Sequence, residues 1–138
     1  MIVPQPIRAE ILAHCQALAP NQACGLVLFD KSGVARSVEK ATNHGAWPYG
    51  FQIAAESQFS AFRRAQSEGW SIGGVYHCHT VSTAEPSGRD IERPVPPKML
   101  YLIVSLMFPD TPDIRGFTLI NGIPRPVNLD TGIEKELI

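Results

Sequence analysis

The hydrophobic and polar positions alternate in two different rhythms along the chain, and the switches between them mark the elements. Pro6 suits the first turn of a helix over residues 6–19, with Ile7, Ile11, Leu12, Cys15 and Leu18 on one stripe. Pro20-Asn21 breaks it, and residues 23–29 form an apolar run of strand length. Asp30-Lys31-Ser32-Gly33 reads as a hairpin turn into a strand over 34–41. Residues 43–50, with Gly45, Pro48 and Gly50, read as a loop. A second helix is expected over 55–67, with Phe59, Phe62 and Ala65 inward, Arg63 and Arg64 outward, and Gly69 ending it.

The second half continues as strands. Residues 72–76 form a buried strand that delivers His77 and His79 at its end, followed by a loop over 80–86. Ser87 begins a short helix halted by Pro94, Pro96 and Pro97. Residues 100–106 are the most apolar strand, and residues 108–113 form a loop. Asn121-Gly122 is a two-residue hairpin signal between strands at 116–120 and 123–129. No repeat or linker divides the chain, so residues 1–138 are read as one domain, a mixed sheet with helices packed on it.

Composition narrows the class. Apolar residues at 44% and charged residues at 18% describe an ordinary globular chain, and 138 residues suffice for a substantial core. A net charge of -1 gives no reason to expect a nucleic-acid or anionic-membrane partner. No run approaches the roughly 18 apolar residues of a membrane span, and residues 1–8 lack the pattern of a signal peptide. Cys15, Cys24 and Cys78 have no framework spacing, so reduced thiols in a cytoplasmic protein are expected. The apolar strands suit either a homodimer or a core alone.

The chemistry concentrates in His77-Cys78-His79 and Ser87-Gly88-Arg89-Asp90, spaced His-x-His-x7-Ser-x2-Asp. Alternate strand residues share a face, so His77 and His79 project together while Cys78 turns away, buried as a small hydrophobe like Cys24. Two imidazoles and one carboxylate make three ligands and leave a fourth position for water, the arrangement of a hydrolytic zinc. Another divalent ion would also suit this donor set. Ser-x-x-Asp has a second reading as a helix cap worth about 1 kcal/mol. The two are compatible, because a capped first turn would fix the direction of Asp90. His14 reads as surface or satisfied core, and His44 as a loop residue.

These segments resemble the zinc-binding signature of the JAMM/MPN-type metalloproteases. Ala23-Cys24-Gly25-Leu26 looks like the first strand of that fold, Asn43, Pro48 and Phe51 echo its central loop, and residues 100–105 echo the strand after the site. His79-Thr80 and Pro126-Val127-Asn128 resemble small bacterial members that process ubiquitin-like sulfur-carrier proteins; phage-tail relatives are the weaker likeness. The resemblance implies a cytidine-deaminase-like three-layer α/β/α fold, with Zn2+ on His77, His79 and Asp90. It implies Ser87 as oxyanion donor, and cleavage after the C-terminal glycine of a ubiquitin-like or sulfur-carrier protein, such as a carrier–cysteine adduct in cysteine biosynthesis.

One position departs from that pattern. Relatives place a catalytic Glu two residues before the Cys-Gly of the first strand, and here the residue is Gln22. A carboxamide cannot accept and return a proton at neutral pH. General acid–base catalysis is worth about 10²–10⁴-fold, so the chain is expected to bind metal and substrate but to be nearly inactive. The exchange is isosteric, and an engineered inactivation is read ahead of a natural variant. Glu85 reads as a solvated loop carboxylate rather than a substitute base. The alternative function is a non-hydrolytic zinc-containing module that docks ubiquitin-like tails. A scaffold without metal ranks last, since nothing in that role requires both histidines and Asp90.

Overall fold

The computed structural model of the chain describes residues 1–43, 52–88, 90 and 98–134. The elements run α1 (Gln5–Leu18), β1 (Cys24–Phe29), β2 (Ala35–Ala41), α2 (Ala55–Glu68), β3 (Ser71–His79), β4 (Leu100–Ser105), β5 (Asp113–Ile120) and β6 (Ile123–Val127). Six strands form one sheet in the order β2-β1-β3-β4-β5-β6. Every neighbouring pair is antiparallel except β3 and β4. A parallel pair needs a crossover rather than a tight turn. That crossover leaves the end of β3 and carries Ser87 and Asp90.

The sheet has a helix on each face, which gives the expected three layers. On one face Ile7, Ile11 and Cys15 of α1 pack with Val27, Tyr76, Cys78, Leu102 and Val104. On the other, Ala61 of α2 packs with Cys24, Leu26, Val75, Tyr101, Ile103 and Phe117. β1 and β4 are buried along their whole length, as strands covered on both faces must be. Among the described residues no helix is long and apolar enough to cross a membrane.

The sequence reading of α2 requires correction. Phe59 and Phe62 do not point inward: they are 61% and 55% exposed, while Ala61 and Ala65 are buried. The rotation of the helix is set by its polar contacts with β2. Arg64 donates to the Val38 carbonyl at 3.2 Å, and Ser60 Oγ donates to Glu39 at 3.2 Å. Small alanines then meet the sheet and allow close approach, whereas Phe59 lies under the Arg63 guanidinium at 5.8 Å. Leu18, placed on the buried stripe of α1, is likewise exposed on its last turn.

Other boundaries shift by a few residues. β3 extends through His79, so both histidines lie within the strand, and β5 begins at Asp113. Asn121 and Gly122 both have positive φ, the requirement of a two-residue turn that matches strand twist. The Gly/Pro loop at 44–50, with His44 and Pro48, lies outside the described residues, as do Phe51 and the prolines at 94, 96 and 97.

Candidate metal centre

Strand alternation does the first part of the assembly. His77 and His79 face the α2 side, while Tyr76 and Cys78 face the α1 side and are fully buried there. The helical cap does the second. Ser87 N–H donates to Asp90 Oδ2 at 2.7 Å, and Asp90 N–H donates to Ser87 Oγ at 3.3 Å. This reciprocal pair is a capping box with Asp in the acidic position. The cap and the candidate ligand are therefore one arrangement, because the backbone bond aims the carboxylate back at β3.

The three side chains converge. His77 Nε2 and His79 Nε2 are 3.0 Å apart, Asp90 Oδ1 is 3.1 Å from His77 Nε2, and Oδ2 is 3.1 Å from His79 Nε2. All three residues are buried. Tetrahedral zinc with bonds of about 2.0–2.1 Å would hold its donors roughly 3.3 Å apart. The observed spacing lies within a few tenths of an ångström of that value, so the donor set fits the ion. His79 Nδ1 donates to the Thr83 carbonyl at 2.7 Å. That bond places the neutral ring's proton on Nδ1 and leaves the Nε2 lone pair facing the cluster.

The electrostatics agree with the geometry. Burial pushes the Asp90 carboxyl up, but hydrogen bonds with His77 and His79 and from Ser87 N–H outweigh it. The group is held well below the ordinary carboxylate value. For His79, burial alone would lower the pKa; Asp90 and the Thr83 carbonyl reverse this and raise it. Both directions mark a pocket that stabilises positive charge beside a carboxylate.

Gln22 joins the site through register. Cys24 pairs with His77, and Cys78 N–H donates to the Ala23 carbonyl at 3.1 Å, so continuation of the ladder sets Gln22 level with His79. Gln22 is buried, and its carbonyl accepts from Asn43 Nδ2 at 2.8 Å. Asn43 Oδ1 in turn accepts from Gln52 N–H at 2.9 Å, in the bridge between Asn43 and Ile53. Glu85 is exposed and faces Arg115 at 3.8 Å, as a solvated carboxylate would. His14 belongs to the opposite face. Thr83 and Tyr101 were not found by spacing: one acts through its backbone, and the other reaches the site only through strand register.

The comparisons extend this reading beyond a single cluster. The profile for prokaryotic homologs of the JAB domain matches residues 4–120. The chain belongs to this family. Within the JAB family it is 28% identical to the CysO-cysteine peptidase of Mycobacterium tuberculosis (strain ATCC 25618 / H37Rv) over 131 residues, covering 89% of each chain. It is 33% identical to a desampylase from Haloferax volcanii over 106 residues, covering 71% of this chain and 75% of that one. A solution structure of a protein from Desulfitobacterium hafniense superposes with a TM-score of 0.82 at 28% identity. That match covers all of this chain and 92% of the other, so the shared fold takes in the full sheet and both helices.

Proposed function

We propose that this chain is a zinc-dependent peptidase or isopeptidase for the bond after the C-terminal glycine of a ubiquitin-like or sulfur-carrier protein, disarmed at Gln22. The single observation that carries the proposal is the convergence of two imidazoles and a carboxylate on one point, level with Gln22. JAB-family relatives named for a carrier–cysteine adduct and for desampylation support the substrate class. We take residues 1–138 as one catalytic domain acting in the cytoplasm, in keeping with three buried free thiols.

His77, His79 and Asp90 are the residues that would hold the ion. Zinc, when bound, lowers the pKa of water toward neutrality and polarises the scissile carbonyl. The chain supplies the rest. Ser87 is exposed, and its oxygen accepts the Asp90 N–H. Its own proton is not used in that bond and can donate to an oxyanion developing on the substrate carbonyl. Position 22 is where a proton must be accepted from water and returned to the leaving amine. The Gln22 carboxamide can hydrogen-bond there but cannot carry that proton.

Gln22 is also what favours a second reading, a binding module that holds the carrier tail without cutting it. Cleavage of carrier proteins bearing a C-terminal amino acid, followed by intact mass spectrometry, separates the two. Zinc-loaded Gln22→Glu protein is expected to release the adduct about 10²–10⁴ times faster than the Gln22 protein. Failure of both to cleave any adduct, with zinc and carrier bound, would leave the binding module as the function.

A further inference from the structure

We propose that Tyr101 is a positioning residue of the metal centre, its hydroxyl orienting the Asp90 carboxylate for the cation. The inference rests on reading His77, His79 and Asp90 as a zinc site. Parallel pairing sets Val75 beside Tyr101 and His77 beside Ile103, so Tyr101 is the diagonal neighbour of His77 on the same face of the sheet. Its ring meets the His77 ring edge-on, with centroids 5.3 Å apart at 82°. From there the hydroxyl donates to Asp90 Oδ1 at 3.4 Å.

Tyr101 is only 1% exposed, in an apolar strand where a phenylalanine would fill the same space. A hydroxyl buried there costs free energy unless it has a partner, and the Asp90 carboxylate is one such partner. Besides the imidazoles, two donors reach Asp90 and are divided between its oxygens: Ser87 N–H serves Oδ2 and Tyr101 O–H serves Oδ1. Once a cation takes the imidazole lone pairs, His79 has its proton on Nδ1, committed to the Thr83 carbonyl. Ser87 and Tyr101 are then the donors, among the contacts described, that keep the carboxylate from turning. Partners of this kind typically change metal affinity by about 10–100-fold.

The test is the zinc dissociation constant of Tyr101→Phe beside the unaltered protein, by competition with a chromophoric chelator. The visible spectrum of the Co2+-loaded forms and the urea midpoint of the metal-free forms complete the set. Zinc binding about tenfold weaker, an altered Co2+ spectrum and a nearly unchanged metal-free midpoint are expected. Equal zinc affinity and identical Co2+ spectra in the two proteins would overturn the proposal and leave Tyr101 as core packing. No zinc binding by the unaltered protein would overturn the zinc site itself, a different failure read from a different sample.

Discussion

One strand serves two unlike regions. On the α1 side of β3, the polar groups are matched in pairs: His14 Nδ1 with Tyr76 Oη at 2.6 Å, and the Cys15 thiol with Cys78. The hydrogen bond to Cys78 and burial push the Cys15 thiol up, so it remains protonated and inert. On the α2 side, His77, His79 and Asp90 crowd three groups rich in lone pairs into about 3 Å. The first face is complete as it stands. The second concentrates acceptors that a cation would satisfy together. Burial alone does not distinguish the two, since Tyr76, Cys15 and Cys78 on the first face are buried like His77, His79 and Asp90 on the second; the balance of donors against acceptors does.

The widest separation between the faces should come from removing a ligand. At zinc about 100-fold above its dissociation constant, a protein that binds only when folded gains roughly 2.7 kcal/mol of stability. His79→Ala is expected to lose that increment entirely, measured as the difference between urea midpoints with and without zinc. Retention of the full increment would show that the ion is held elsewhere.

The converse perturbation enters from the α1 face. Gly25 lies against the Tyr76 ring, and a Cβ added there would fall inside the ring's van der Waals surface. β1 is paired on both edges, to β2 and β3, so its backbone has little room to yield. Gly25→Ala is therefore expected to cost about 1–3 kcal/mol of metal-free stability, while the zinc increment stays as it was. A parallel loss of the increment would mean that packing beneath β3 sets the ligand geometry above it, and the two faces would have to be treated as one.

The same contrast explains what could be read from the sequence. Period-two alternation around Cys78 placed the two histidines on one face, and the capping signature at Ser87 placed Asp90, because both depend on local backbone geometry. The order of strands and the diagonal approach of Tyr101 to His77 depend on register, which no local pattern encodes. The facing of α2 failed for a related reason. Hydrophobic periodicity counts Phe59 and Phe62 as core, but the helix is turned by Arg64 and Ser60 binding to β2, which are tertiary contacts. Gln22 was legible only against the JAB pattern, since a glutamine before a strand carries no signal of its own.

The smallest effect expected is a pH dependence belonging to the α1 face. Burial, followed by the charge of Lys40, lowers the pKa of His14 from its ordinary value near 6.5. The folded protein therefore keeps this imidazole neutral, accepting from Tyr76, whose phenol burial pushes up and keeps protonated. As pH falls past 6.5, the unfolded chain takes up the proton first. The contribution of His14 to stability is thus present above that pH and is lost as pH falls toward the folded value. Urea midpoints of metal-free protein at pH about 8 and about 5.5 should fall further for the unaltered chain than for His14→Gln. His77 and His79 remain in both proteins, so to first order their titration cancels from the comparison. A steeper loss in His14→Gln would mean that the imidazole is charged in the folded state and that its protonation stabilises the α1 face.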